Sequence, residues 1–278
     1  MSLYVINMAN KIRELLNQDK PTIGTHLSCT WPTLWEGVGS TGQFDYIEFG
    51  SQYGAWDLHD LDNLCRAAEL TNTDTMIKID RNPKDWLAQR AIAAGFQAIL
   101  FADIMTVEEA KECVEAVRLP PVGTMGWIST RGVRPRDWVK HTDDIVVAIM
   151  VEKKSLMENL EDVLAVDGID MIQFGPADYG LSLRTPGKPF VRADYRDKIN
   201  AERDRAHRMA IDAGVRPRAE ASSAEQCQYY IDRGVCDFCI GWETSIIASW
   251  CRQNGSRLRE MLGRSKESEK GFCTNTLY

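Results

Sequence analysis

Two acids in this chain have the placement and chemistry to hold a metal ion. Glu152 closes the apolar run that begins at Ile145, and Asp178 closes the run from Ile169 through Phe174-Gly175-Pro176-Ala177. Such runs read as buried strands, and the stretch 155–165 between them reads as a helix. Parallel strands joined by a helix have their C-terminal ends on one edge of a sheet, so both carboxylates should face one opening. Hard oxygen ligands with room for water and substrate suit a divalent cation such as Mg²⁺. Gly175 and Pro176 force a defined turn and so fix the acid by the backbone. The plainer alternative is that both acids are polar strand ends or caps of the helices that follow.

The elements that must carry these acids alternate along the chain. A short leading helix spans 9–16. Candidate strands follow at 22–28, 44–50, 74–80, 98–103, 145–152, 169–175, 215–221 and 236–242. Helices fill several intervals. Pro83 opens one, Thr106-Val107-Glu108-Glu109 forms a capping box for another, and Gly214 and Gly234 end two more. Eight βα units in 278 residues imply an α/β fold of the TIM (β/α)8 barrel type. A doubly wound open sheet is the rival, weakened by the lack of G-x-G-x-x-G after the first strand. No Pro-, Gly- or Ser-rich linker divides the chain, so residues 1–262 are expected to form one domain and 263–278 a polar tail. The stretch 119–144, with Pro120-Pro121, Arg131, Arg134 and Arg136, breaks the alternation and is expected to be functional.

Barrel enzymes carry their chemistry at the C-terminal ends of strands. In order, those ends are His26, Glu48 with Gln52 and Tyr53, Lys78 with Asp80 and Arg81, Asp103, Glu152, Asp178, Arg218 with Glu220, and Trp242-Glu243. This is a polar rim of mixed charge.

Phe174-Gly175-Pro176-Ala177-Asp178 after Val166-Asp167-Gly168-Ile169-Asp170 resembles the metal-binding signature of the class II pyruvate aldolases, the HpcH/HpaI-like family of the phosphoenolpyruvate/pyruvate barrel superfamily. Phe44-Asp45-Tyr46-Ile47 resembles its second strand, Glu109-Ala110 and Pro120-Pro121-Val122-Gly123 its fourth helix and the following loop, and Val151-Glu152 with Asn159-Leu160 its fifth strand and helix, in the same order, from about Gly24 to Trp242. The resemblance implies that Glu152 and Asp178 are the only protein ligands of one divalent cation, Mg²⁺ or else Mn²⁺ or Co²⁺. The cation would chelate a pyruvate-like group and stabilise its enolate as a Lewis acid. It also implies aldol cleavage or addition on a 2-oxo acid, a substrate carboxylate held by the backbone around Gly175, Pro176 and Ala177, and homo-oligomers (hexamers or dimer units) with swapped helices.

The rest of the rim departs from that family. Gln52-Tyr53 stands where the family carries Glu-His, Lys78 replaces a strand-three Arg, and Met125 replaces an Arg after the Pro-Pro-x-Gly loop. His26 is a candidate base, since an imidazole suits proton transfer near neutral pH. Tyr53 is a candidate hydrogen-bond donor or acid. Lys78 keeps a positive charge for an oxyanion but lacks the guanidinium fork. The alternatives are a hydrogen-bonded strand-end histidine, an aromatic wall and a salt bridge of Lys78 with Glu48 or Asp80. Gln52, Arg81 and Trp242 are candidate substrate contacts. Arg81, Arg131 and Arg134 would read a distal acid group unless they are surface charge, and Trp127 is a second candidate for the wall. His59, His141 and His207 read as surface or structural.

Bulk properties limit the function classes. The chain is 44% hydrophobic and 26% charged, with a formal net charge of −7 that argues against nucleic acid as the main partner. Cys236 and Cys239 lie in a strand that would point their thiols to opposite faces, so this C-x-x-C does not read as a zinc site. Met1–Asn10 is short and weakly apolar, no run reaches membrane-spanning length, and the expected setting is the cytoplasm. The expected function is a metal-dependent carbon–carbon lyase acting through a pyruvate-type enolate. The alternatives are decarboxylation or hydrolysis through the same enolate, or a non-catalytic metabolite-binding barrel.

Overall fold

The computed structural model of the chain describes residues 10–128, 131 and 138–264. Eight parallel strands close into a barrel in sequence order. They are β1 (Ile23–Leu27), β2 (Tyr46–Gly50), β3 (Asp74–Ile79), β4 (Ala98–Phe101), β5 (Val146–Val151), β6 (Met171–Phe174), β7 (Arg216–Ala221) and β8 (Asp237–Trp242). The fold is therefore the expected (β/α)8 barrel. Each strand lies within its expected range, because short β-branched and apolar runs suit a sheet covered on both faces.

The helices are α1 (Lys11–Asn17), α2 (Pro32–Gly39), α3 (Leu58–Leu70), α4 (Lys84–Ala94), α5 (Val107–Glu115), α6 (Trp138–Asp143), α7 (Lys154–Glu158), α8 (Leu160–Leu164), α9 (Pro176–Ser182), α10 (Arg196–Asp212), α11 (Ala224–Ile231) and α12 (Glu243–Met261). The expected single helix at 155–165 is two short helices that meet at Asn159. The stretch 119–144 contains α6. Residues 129, 130 and 132–137 within it, including Arg134 and Arg136, lie outside the described residues, as does 265–278 of the expected tail.

Two apolar layers hold the barrel. Outside it, Ile47, Phe49, Ile77, Ile99, Val147 and Ile172 pack against the helices. Inside, Tyr46, Met76, Ala98, Leu100, Ala148, Met150 and Met171 fill the lower half, and Ile12 of α1 packs among them. The helix α1 thus closes the N-terminal end of the barrel. The Asn10 side chain donates to the carbonyls of Gln97 (2.9 Å) and Asp144 (2.8 Å), and the Arg13 fork grips both oxygens of Asp170 at 2.6 Å. The backbone N–H of Ile12 donates to Asp74, whose carboxyl burial pushes up to about 7. Among the described residues, α1 therefore covers the barrel end opposite the C-terminal ends of the strands.

Candidate active site

The inward-facing residues at the mouth come from every part of the sheet. Strand alternation sends His26 (β1), Glu48 and Gly50 (β2), Lys78 (β3), Gln173 (β6) and Arg218 (β7) into the barrel, with Glu152 directly after β5. Three glycines make room for them. A Cβ at Gly24 would fall 2.3 Å from the Tyr46 ring, one at Gly50 would fall 2.4 Å from His26 Nε2, and one at Gly175 would fall 2.6 Å from the Glu152 carboxylate.

The acidic side of the mouth is built on β4, β5 and the turn after β6. Glu152 is 3% exposed, and its Oε1 accepts the backbone N–H of Asp103 at 2.7 Å. Burial raises its carboxyl above the usual range, against the opposing charge of Lys78. Asp178 is not on a strand end. Pro176 starts α9 there and puts the acid in that helix's first turn, half exposed. Lys153 joins the group, with Nζ 2.5 Å from Asp103 and 3.4 Å from Asp178. Asp103 itself takes a left-handed backbone conformation, φ 59°, which is uncommon for a residue with a side chain. Among the described residues no three His, Cys, Asp or Glu side chains gather as a ligand set. The cation ligands expected from the sequence, Glu152 and Asp178, are two oxygen donors, so an ion held by them would fill its remaining positions with water or substrate. The chemistry of those donors and the space left by Gly175 fit a hard divalent ion.

The opposite side is aromatic and cationic. The Lys78 ammonium, 6% exposed, donates to the Tyr53 hydroxyl at 2.8 Å. Burial opposes its charge, but Tyr53 and Glu152 raise the ammonium above its usual range, so it stays protonated. Burial also raises the Tyr53 phenol, against the pull of Lys78. The rings of Tyr53 and Trp242 lie 5.9 and 4.9 Å from the His26 ring and 5.3 Å from each other. Beneath them, His26 Nδ1 is 3.0 Å from Glu48 Oε1. Arg218, 1% exposed, binds the other Glu48 oxygen, Gln173 Oε1 and, at 2.6 Å, the Tyr46 hydroxyl. Burial raises the Glu48 carboxyl, but Arg218 and then His26 overcome it and hold the group well below the usual carboxylate range.

Other expected contacts fall elsewhere. Gln52 donates to Asp80 at 3.2 Å and Arg81 is taken by Glu109. Arg131 pairs with Glu69, and its backbone N–H donates to Ala93 at the C-terminal end of α4, the barrel end away from the mouth. The Trp127 ring packs at a tilt against Trp138 of α6, 5.7 Å between centroids. The salt bridge weighed for Lys78 with Glu48 or Asp80 is replaced by the bond to Tyr53. Of the other histidines, His59 is exposed, while His141 and His207 are buried on α6 and α10. Cys236 is exposed just ahead of β8, and Cys239 is buried within it. Glu48 and Arg218 stood in the sequence only as rim residues. Their inward strand parity was visible, but their pairing requires the closed barrel.

Fold and mouth together define a barrel with its acids and an internal ammonium at the C-terminal edge of the strands. The HpcH/HpaI aldolase/citrate lyase family model matches residues 53–223, and the chain belongs to that family. It is 25% identical to a hydroxypyruvate/pyruvate aldolase of Cupriavidus necator, over 94% of this chain and 97% of the relative. It is also 25% identical to a 2-keto-3-deoxy-L-rhamnonate aldolase of Salmonella gallinarum, over 87% and 86%. A solved HpcH/HpaI aldolase/citrate lyase family protein from Burkholderia cenocepacia superposes with a TM-score of 0.80 at 22% identity, covering 90% of this chain and all of the other.

Proposed function

We propose that this protein is a divalent-metal-dependent aldolase that makes or breaks the carbon–carbon bond next to the carbonyl of a 2-oxo acid, through a pyruvate-type enolate. The observation that carries the reading is Lys78, an ammonium buried inside the barrel mouth, whose Nζ donates to the Tyr53 hydroxyl at 2.8 Å and whose positive form Tyr53 and Glu152 favour. The relatives named as aldolases support the same reaction class. Glu152 and Asp178 hold the cation, Mg²⁺ or alternatively Mn²⁺ or Co²⁺. When bound, it supplies Lewis-acid stabilisation of negative charge on the substrate.

The chain's own residues do the rest. The backbone at Gly175, Pro176 and Ala177 faces the substrate carboxylate. Lys78 places a fixed positive charge beside the oxygen that becomes the enolate. The Tyr53 oxygen already accepts from Lys78, which leaves its O–H free to donate to the same oxygen. His26 or Tyr53 carries the proton and Trp242 walls the mouth, whereas Gln52 and Arg81 are engaged by Asp80 and Glu109.

Deuterium exchange at the methyl group of pyruvate, followed by NMR with and without Mg²⁺ or Mn²⁺, tests the reading. Metal-dependent exchange is expected. Its absence in a protein that binds Mn²⁺ would leave a metabolite-binding barrel. His26→Ala is expected to slow exchange by about 10²–10⁴-fold and Tyr53→Phe by less. If neither does, both residues are excluded as proton carriers.

No helix among the described residues is long and apolar enough to cross a membrane. The seven described cysteines are free thiols, which suits a reducing compartment, and we place the protein in the cytoplasm. We also propose a homo-oligomer. The helix α12 leaves Ile246, Ile247, Trp250, Leu258 and Met261 more than half exposed, while Ile23 at the start of β1 is also exposed. A second copy of this chain would cover that face. Sedimentation is expected to show an oligomer, and Ile247→Glu with Trp250→Glu is expected to reduce it to monomers. Unchanged mass in the variant would overturn this interface.

A further inference from the structure

His26 presents two different nitrogens. Nδ1 faces a Glu48 oxygen at 3.0 Å, whereas Nε2 is buried and has no hydrogen-bond partner. Around Nε2 lie the bare backbone of Gly50 and the rings of Tyr53 and Trp242. A side chain at position 50 would occupy the space beside that atom. Glu48 is itself fixed, because Arg218 binds its second oxygen and is anchored in turn by Tyr46 and Gln173. A carboxylate only accepts hydrogen bonds, so the nitrogen facing it must carry the proton. In a neutral imidazole the other nitrogen then holds a lone pair.

We infer that Glu48 is a positioning residue: clamped by Arg218, it fixes His26 with its proton on Nδ1 and keeps Nε2 as the lone pair that takes the substrate's proton. The identity of that proton rests on the aldolase reading. In the cleavage direction Nε2 takes the hydroxyl proton of a 4-hydroxy-2-oxo acid. The O–H bond breaks and an N–H bond forms. The oxygen's electron pair becomes the carbonyl of the departing aldehyde, and the C3–C4 pair passes into the enolate. His26 then returns the proton to C3. In the reverse sense Nε2 takes a methyl proton from pyruvate, the step that deuterium exchange reads. Tyr53, whose oxygen accepts from Lys78, serves as donor and not as base. It is half exposed, and with Trp242 it covers Nε2, so one of these rings turns aside when substrate enters.

The state of His26 can be measured without turnover, by long-range ¹H–¹⁵N NMR on histidine-labelled protein, with His26→Gln assigning its signals among the four histidines. The expected result is a protonated Nδ1 and a bare Nε2. A proton on Nε2, or a mixture of tautomers, overturns the inference. Glu48→Gln is expected to lose the fixed tautomer and to slow metal-dependent pyruvate exchange about 100-fold, with KM within about threefold. That variant leaves Arg218 without a counter-charge, so Glu48→Gln/Arg218→Met supplies the same two readouts in a neutral pair. Unchanged exchange in either folded variant overturns the role of Glu48. If the wild-type protein shows no exchange at all, the aldolase reading falls, and the tautomer still decides whether Glu48 fixes His26.

Discussion

A Glu152→Gln protein is expected to lose about 10³-fold in metal-dependent pyruvate exchange while keeping its fold. The substitution keeps the side chain's length and an oxygen to accept the Asp103 N–H, so the contact between the ends of β4 and β5 survives. What it removes is a buried negative charge at the barrel mouth. A Lewis acid contributes several kcal/mol to a developing oxyanion, and about 4 kcal/mol corresponds to that thousandfold change. Mn²⁺ titration followed by electron paramagnetic resonance provides the second readout, and binding is expected to weaken with the loss of exchange. Mn²⁺ affinity within threefold of the wild-type value would remove Glu152 from the ligand set. Asp178 stands in a helix turn and is half exposed, so Asp178→Asn is expected to affect the fold even less.

The parts of this site that depend on local pattern were legible in the sequence. The strands announced themselves as short apolar runs, and Glu152 follows one of them directly. Gly175-Pro176 predicted a fixed turn, and the structure refines it: the turn is the start of α9, so Asp178 is a helix residue. What the sequence could not show are pairings made by closing the barrel. Glu48 and Arg218 are 170 positions apart, on strands separated by β1 and β8. Either residue alone reads as a rim charge, whereas together they form a buried pair beneath the mouth. The sequence leaves Lys78 open to a salt bridge with Glu48 or Asp80. Arg218 reaches Glu48 from across the barrel, and Lys78 turns up to Tyr53. Distal-group contacts from arginines were the least legible, since a surface arginine finds any nearby acid. Arg81 is held by Glu109 and Arg131 by Glu69.

The same buried pair sets the largest expected effect on stability. Arg218→Met is expected to destabilise the fold by about 3–5 kcal/mol, because it strands the Glu48 carboxylate in a site with little water. Chemical denaturation measures this. The double variant Glu48→Leu/Arg218→Met is expected to recover most of the loss, since two apolar side chains of similar bulk replace a buried ion pair at little net cost. The sign of the pH dependence separates this account from a packing defect. In the wild-type protein burial raises Glu48, but Arg218 and His26 outweigh it and put the carboxyl below its ordinary value of 4.5. Its contribution to stability is therefore present above that value and is lost as the pH falls through the lower, folded one. Without Arg218 the raising effect of burial is left with weaker opposition. If it then prevails, the folded carboxyl binds its proton more tightly than the unfolded one, and its contribution is lost as the pH rises. The stability gap between the variant and the wild-type protein should accordingly widen from pH 5 to pH 8. A gap that stays constant over that range would mean that Arg218 acts through its packing and not through its charge on Glu48.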